Sequence, residues 1–254
     1  MKKLIFSVLI LFSTLPVVKA QSDTGSADDN SQKASVHKNM VEINLFALPL
    51  KNFSLNYQRQ ITRKTTVGLT ARLMPDGLLP FEKSFRSSIK DSTAKAQIDN
   101  FKVGNYAVMP EIRFYFSRKG AFHGFYVSLF ASFAHYSASL PYNYTDSNVN
   151  KTIQLNGSVN SITGGFMLGA QWNIGKSVYL DLHIIGPNYG SSSGSISGHT
   201  TLSASEQSAL KSSLDGLNIP IVKTSSTVDA NGAKLSFSGP WAGIRSGLCI
   251  GFRF

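Results

Sequence analysis

The sequence predicts an all-β protein, an up-and-down antiparallel transmembrane barrel of about eight strands. Three observations predict it: apolar residues recur at every second position from Val41 onward, the connections between these runs alternate short and long, and the last strand ends on an aromatic residue. Period two marks strands, because successive side chains of a strand point to opposite faces.

Val41, Ile43, Leu45 and Ala47 make the first apolar stripe, Phe53, Leu55 and Tyr57 the second, and Val67, Leu69, Ala71 and Leu73 the third. The fourth carries Tyr106, Val108, Ile112, Phe114 and Phe116 on one face, with Asn105, Glu111, Arg113 and Tyr115 on the other. Phe125 to Phe133 and Phe166 to Ile174 continue the alternation, and Val178, Leu180, Leu182 and Ile184 lie opposite Tyr179, Asp181 and His183. In the final strand Ala242, Ile244, Leu248, Ile250, Phe252 and Phe254 oppose Gly243, Arg245, Gly247, Cys249 and Arg253.

Composition removes the main competitors. No apolar run of the length a membrane helix needs, about 20 residues, follows the N-terminus. With 11% aromatic residues the chain is too rich in buriable surface for disorder. Lys2 and Lys3, the apolar stretch Leu4 to Leu15 and Val18-Lys19-Ala20 read as a signal peptide over residues 1–20. Its cleavage removes three lysines and no acid from a net charge of +11, so part of the basicity is targeting. Residues 21–38 have the polar composition of a flexible periplasmic leader, which leaves 39–254 for the barrel. That compartment makes nucleic acid an implausible partner despite the charge. Cys249, the only cysteine, forms no intrachain disulfide, and no metal or cofactor motif is present.

The connections decide between a membrane barrel and a soluble sandwich. Ile61 to Lys64, Arg118 to Phe122 and Gly175 to Lys176 are short, whereas Pro75 to Lys102, Ser139 to Ser161 and Gly186 to Pro240 are long; of the external connections only the first, Pro49 to Asn52, is short. Short periplasmic turns and long external loops sort in this way in a membrane barrel. Its polarity is inverted, so Arg72, Glu111, Arg113, Asp181, His183 and Arg245 face the lumen, where they should pair into a plug. Aromatic girdles are expected from Tyr57, Phe114, Phe116, Trp172, Tyr179 and Phe254 below and Tyr106, Tyr136 and Trp241 above. Arg59, Arg63, Lys64, Arg118, Lys119, Lys176 and Arg253 collect at the periplasmic ends, where they would anchor against headgroups.

Within the long loops, Pro80, Phe81, Phe85 and Ile89 fall at helical spacing. Ser203 to Glu206 reads as a capping box opening a helix to Gly216. Ile219 to Val228 and Ala233 to Phe237 suggest a hairpin about Asn231-Gly232, and its entry into the membrane would raise the strand count to ten.

The stretch Met109-Pro110-Glu111-Ile112-Arg113-Phe114-Tyr115-Phe116 resembles the Pro-Glu-x-Arg-aromatic signature of a Bacteroidota family of small outer-membrane barrels catalogued as a domain of unknown function. Gly169-Ala170-Gln171-Trp172 and the following strand are similar to a later segment of it. The resemblance spans Asn39 to Ile185 and the last strand, implies an outer-membrane barrel, and carries no activity. Gly247, Ile250, Phe252 and Phe254 resemble the insertion signal that the barrel assembly machinery reads.

His135 and Ser137 look like the His-x-Ser element of outer-membrane lipid A deacylases, but no orienting Glu follows and Asp146 is the nearest acid downstream. The expectation is therefore a non-enzymatic barrel in the outer membrane, surrounded by its lipid, with a salt-bridged lumen and external loops for ligand or surface interaction. A lipid-modifying enzyme using His135 and Ser137 and a small-solute pore are the alternatives. The sequence specifies neither the extracellular ligand nor the oligomeric state.

Overall fold

A computed structural model describes residues 37–82, 86, 95, 99–146, 149–216 and 221–254. The expected signal peptide, most of the expected leader, Phe85 and Ile89 of the expected helical segment and Ile219 at the start of the expected hairpin lie outside the described residues. In chain order the elements are β1 (Asn39–Asn44), a single 3-10 turn (Leu48–Leu50), β2 (Phe53–Gln60), β3 (Thr65–Leu78), β4 (Lys102–Tyr115), β5 (Gly124–Asp146), β6 (Val149–Asn173), β7 (Val178–His199), α1 (Ala204–Asp215), β8 (Lys223–Asp229) and β9 (Gly232–Arg253). None of the described helices is long and apolar enough to cross a membrane.

Each strand pairs antiparallel with the next from β1 to β7, β7 pairs with β9, and β9 closes on β1. That is a ring of eight. The expected hairpin forms, but β8 pairs only with Gly232 to Ser238 of β9 and does not enter the ring, which removes the ten-strand alternative. Following paired residues once round from Ile43, through Leu55, Ala71, Val108, Phe133, Ile162 and Ser191, leads to Pro240. The residue of β9 that actually pairs with Ile43 is Ile250, so the ring closes with a stagger of ten residues. Such a shear tilts the strands and sets the width of the barrel.

The polarity is inverted relative to a soluble fold. Phe53, Leu69, Leu129, Phe166 and Phe252 are about half exposed on the outer wall, while Gln58, Thr66, Ser128, Gln171 and Asp181 are buried inside. An apolar exterior about a polar interior is the arrangement of a barrel surrounded by hydrocarbon.

The long connections are shorter than the sequence suggests. Most of Ser139 to Ser161 and much of Gly186 to Pro240 is strand: β5 and β6 pair continuously up to Asp146 and Val149, and β7 and β9 pair up to His199 and Gly232. Period two fails as a guide there because neither face of these extensions is consistently apolar, as in Gly190-Ser191-Ser192-Ser193-Gly194. Pro187 follows a register irregularity between His183 and Gly186, the kind of break at which a strand tolerates a missing N–H.

The capping box predicted for α1 is present: Ser203 accepts from the Glu206 amide, and the Glu206 side chain accepts from the Ser203 amide at 2.8 Å. Lys211 lies 3.1 Å from Asp215, and Ser226 of β8 donates to the same carboxylate. These contacts hold the Asp215 carboxyl below the usual carboxylate range and tie α1 to β8.

Because the ring closes without β8, replacing residues 203–229 by a short Gly-Ser turn should leave heat-modifiable mobility on gels intact. Loss of that mobility would place β8 in the ring.

Candidate functional site

The lumen is filled in layers, starting at the mouth where the N-terminal end of β1 lies. The turn between β4 and β5 folds inward there, with Ala121 and Phe122 buried. Phe122 holds φ at 67°, a left-handed conformation unfavourable for an aromatic residue and retained only where surroundings fix it. The Ala121 amide donates to the Arg63 carbonyl at 2.7 Å, which clasps this turn to the one between β2 and β3. The Arg253 guanidinium lies 4.8 Å from the centroid of the Phe122 ring and donates to the Tyr179 hydroxyl at 3.1 Å and the His37 carbonyl at 2.8 Å.

This arrangement corrects two expectations. Arg253 and Tyr179 face inward and close the mouth; they are neither a headgroup anchor nor part of the outer girdle, since both alternate in register with lumen-facing neighbours.

Above the mouth, Tyr115 and Tyr126 pack with ring centroids 5.2 Å apart. A side chain at Gly169 would place a Cβ 2.3 Å from the Tyr126 ring, so only glycine leaves room for it. Tyr115 donates to Gln171 Oε1 at 2.7 Å. The Gln58 and Gln171 amides each donate to Glu42, at 2.7 and 2.6 Å.

At the centre sits Arg113, fully buried. Its Nε donates to Glu111 Oε1 at 2.7 Å, its Nη1 to Asp181 Oδ2 at 2.5 Å, and its Nη2 lies 3.7 Å from Glu42. Tyr126 donates to the second Asp181 oxygen at 2.8 Å and also lies under the Arg113 guanidinium, 4.7 Å from centroid to Cζ. Arg245 takes the other Glu111 oxygen at 2.7 Å, and Asn56 donates to Glu111 Oε1 at 2.9 Å. His183 Nε2 lies 3.2 Å from Asp181, 3.4 Å from Arg113 and 3.8 Å from the Cys249 sulfur. Thr70 of β3 accepts from Asn56 at 2.7 Å and from Arg245 at 3.2 Å, so every strand of the ring contributes a side chain to this network.

Glu111, Arg113, Asp181, His183 and Arg245 therefore meet as the alternation predicts. Arg72 does not join them. It faces the lumen one layer higher, and its contact is the Tyr136 hydroxyl at 3.5 Å. Tyr136 in turn packs on Trp241 at 5.2 Å, so these two rings line the lumen and are not girdle residues. Glu42, Gln58, Gln171, Tyr126 and Phe122 also pack inside the lumen and are not among the residues that the sequence singles out. For Glu42 the signal was available, because it alternates with the apolar pair Val41 and Ile43.

Ligand atoms of Glu42, Asp181 and His183 lie within 4.8 Å of one another, a spacing that could hold a metal ion. In this structure the Arg113 guanidinium already serves those carboxylates as their cation. On the outer wall, His135 Nδ1 meets Asn160 Oδ1 at 2.7 Å and the ring stacks on Tyr106 at 4.8 Å. Ser137 donates to Asp76 of β3, an acid 61 residues before it in the sequence. The carboxylate is thus on the serine, whereas a triad requires it on the histidine.

A family model described as Protein of unknown function (DUF3575) matches residues 9–192. The chain belongs to this family. The matched segment contains Glu42, Glu111, Arg113, Asp181 and His183 and stops before α1, β8 and β9, so Arg245 and Cys249 lie outside it. Among solved structures, the N-terminal β-barrel domain of Pseudomonas aeruginosa OprF is similar at 10% identity, over 86% of this chain and 98% of that chain, with a TM-score of 0.28. No curated protein matches the chain.

Removing the central cation leaves the buried carboxylates of Glu42, Glu111 and Asp181 facing one another. Arg113→Ala should lower the unfolding free energy by about 3 to 5 kcal/mol, measured by urea titration of the refolded barrel in micelles. A loss below about 1 kcal/mol would mean that water solvates the network.

Proposed function

We propose that the protein is a non-enzymatic barrel of the bacterial outer membrane whose lumen is closed to solutes and whose tall external strands meet a ligand or the cell surface. The filled lumen carries this reading: Phe122 and Arg113, one above the other, are fully buried. An eight-stranded barrel has room inside for side chains and little else. The apolar outer wall supports a membrane location, and the Pro110-Glu111-Ile112-Arg113 stretch supports a place among the small outer-membrane barrels of Bacteroidota.

Export follows from cleavage after Ala20, and assembly from the last strand. Ile250 and Phe252 are exposed on β9 and Phe254 just beyond its end, and the Phe254 amide and carbonyl bond to Asn39, closing the ring at the mouth. The barrel assembly machinery would read this strand. The separate engagement of His135 by Asn160 and of Ser137 by Asp76 weighs against a lipid-modifying enzyme.

Purified protein inserted into planar bilayers should show no steady conductance, whereas the double variant Arg113→Ala, Phe122→Gly should leak. An open, ion-selective channel in the unaltered protein would overturn the closed reading and promote the pore.

A further inference from the structure

The ring wall is uneven. β1 has 6 residues and β2 has 8, against 14 to 25 in the other strands of the ring. The stagger of the ring makes this difference consequential, because a neighbour for Pro240 on β1 would need about ten more residues beyond Ile43, and β1 stops at Asn44. Its last contact with β9 is the Leu45 amide on the Leu248 carbonyl, 2.7 Å away. On this edge β8 takes over from Ser238 upward. Among the described residues, β9 from Gly239 to Gly247 has no strand beside it here.

On the far side, β2 pairs with β3 only as far as Leu73, so β3 from Met74 to Leu78 is also unpaired on that edge among the described residues. The result is a notch in the wall between β9 and β3, with the β1–β2 turn as its floor.

The notch opens toward hydrocarbon. Its floor is the segment Leu45-Phe46-Ala47-Leu48-Pro49-Leu50, with Phe46 47% exposed, and its β9 side carries Ile244, 71% exposed on the outer wall. Counted along β9 from the mouth, Gly247 to Ala242 falls in the farther half of the apolar stripe.

Just inside lies Arg72, paired in register with Ser54 beside the notch. Among the described residues no carboxylate lies within ion-pair distance of its guanidinium, and its Nε is buried without a hydrogen-bond partner. Arg245, the next cation inward, is already held by Glu111.

We infer that the notch admits a long-chain amphiphile from the outer leaflet, its anionic head held by Arg72 beside Tyr136 and Trp241 and its acyl chain lying over the β1–β2 turn and Ile244. This rests on the membrane location proposed above. The chemistry follows from the parts: an unneutralised guanidinium selects an anion, preferably one that accepts two N–H donors at once. The apolar rim selects the hydrocarbon attached to it.

Trp241 gives a local reporter. The chain has two tryptophans, Trp172 and Trp241, so the Trp172→Phe protein retains Trp241 alone. This protein, folded in zwitterionic micelles, is titrated with dibromostearate, whose bromines quench indole fluorescence at contact, and with neutral dibromostearyl alcohol. Dibromostearate should quench saturably, and Arg72→Gln should raise its half-saturation concentration roughly tenfold, with heat-modifiable mobility scoring the variant's fold. The alcohol should quench weakly and equally in both.

Equal half-saturation for acid and alcohol in the protein with Arg72 intact would overturn the assignment without reference to any variant, as would an unchanged curve in a folded Arg72→Gln protein. Equal competition by inorganic phosphate would assign the site to soluble anions and overturn entry from the leaflet. Incorporation into liposomes is scored separately: failure to insert contradicts the membrane location, while failure to bind in micelles contradicts only the amphiphile site.

Discussion

A guanidinium removed from water must recover its hydration from the protein, and for Arg113 the recovery comes from three walls of the barrel at once. Glu111 stands on its own strand, Glu42 on β1 and Asp181 on β7. Strands far apart in sequence are thereby held at one separation and one height. A buried ion network of this kind adds little stability over a well-packed apolar core, but removing one partner is strongly destabilising. Its consequence is register: a slip of one residue in β1 or β7 would turn Glu42 or Asp181 out toward hydrocarbon. The remaining layers follow from that height, with phenols and amides completing the carboxylates' hydrogen bonds below and Arg245 completing Glu111 above.

The same constraint explains why the barrel can be uneven. Once the lower half of the ring is fixed by the network and closed at the mouth by Phe122 and Arg253, the upper wall is free to vary. β5, β6, β7 and β9 continue beyond the apolar belt as paired strands, whereas β1 and β2 stop within reach of it. The tall side carries polar paired strands, and on the low side Arg72 stands near the end of the β2–β3 pairing.

Much of this was legible in the sequence because a membrane barrel writes its two faces in strict alternation. Val178, Leu180 and Leu182 against Asp181 and His183 identify the outer and inner faces of β7 without any structure, and the same reading placed Glu111, Arg113 and Arg245 together. Alternation gives a face and not a height, which is why Arg72 shares the lumen face with the network yet stands a layer above it in the fold. It also fails where both faces are polar, so the extensions of β5 to β7 read as loops. Aromatic residues mislead in the opposite sense: Tyr179, Tyr136 and Trp241 have girdle composition, and only their register with His183, Ala134 and Arg245 turns them inward. The inward fold of Phe122 depends on a left-handed backbone and two clasped turns, which no periodicity encodes.

The central claim is that Arg113 and Asp181 act as one unit across the lumen, and a double-mutant cycle tests it most directly. Unfolding free energies of the unaltered barrel, Arg113→Met, Asp181→Asn and the double variant would be compared in the same micelles. Joint action predicts a coupling of at least about 1.5 kcal/mol, with the double variant more stable than the sum of the single losses implies. Losses additive to within about 0.5 kcal/mol would contradict it.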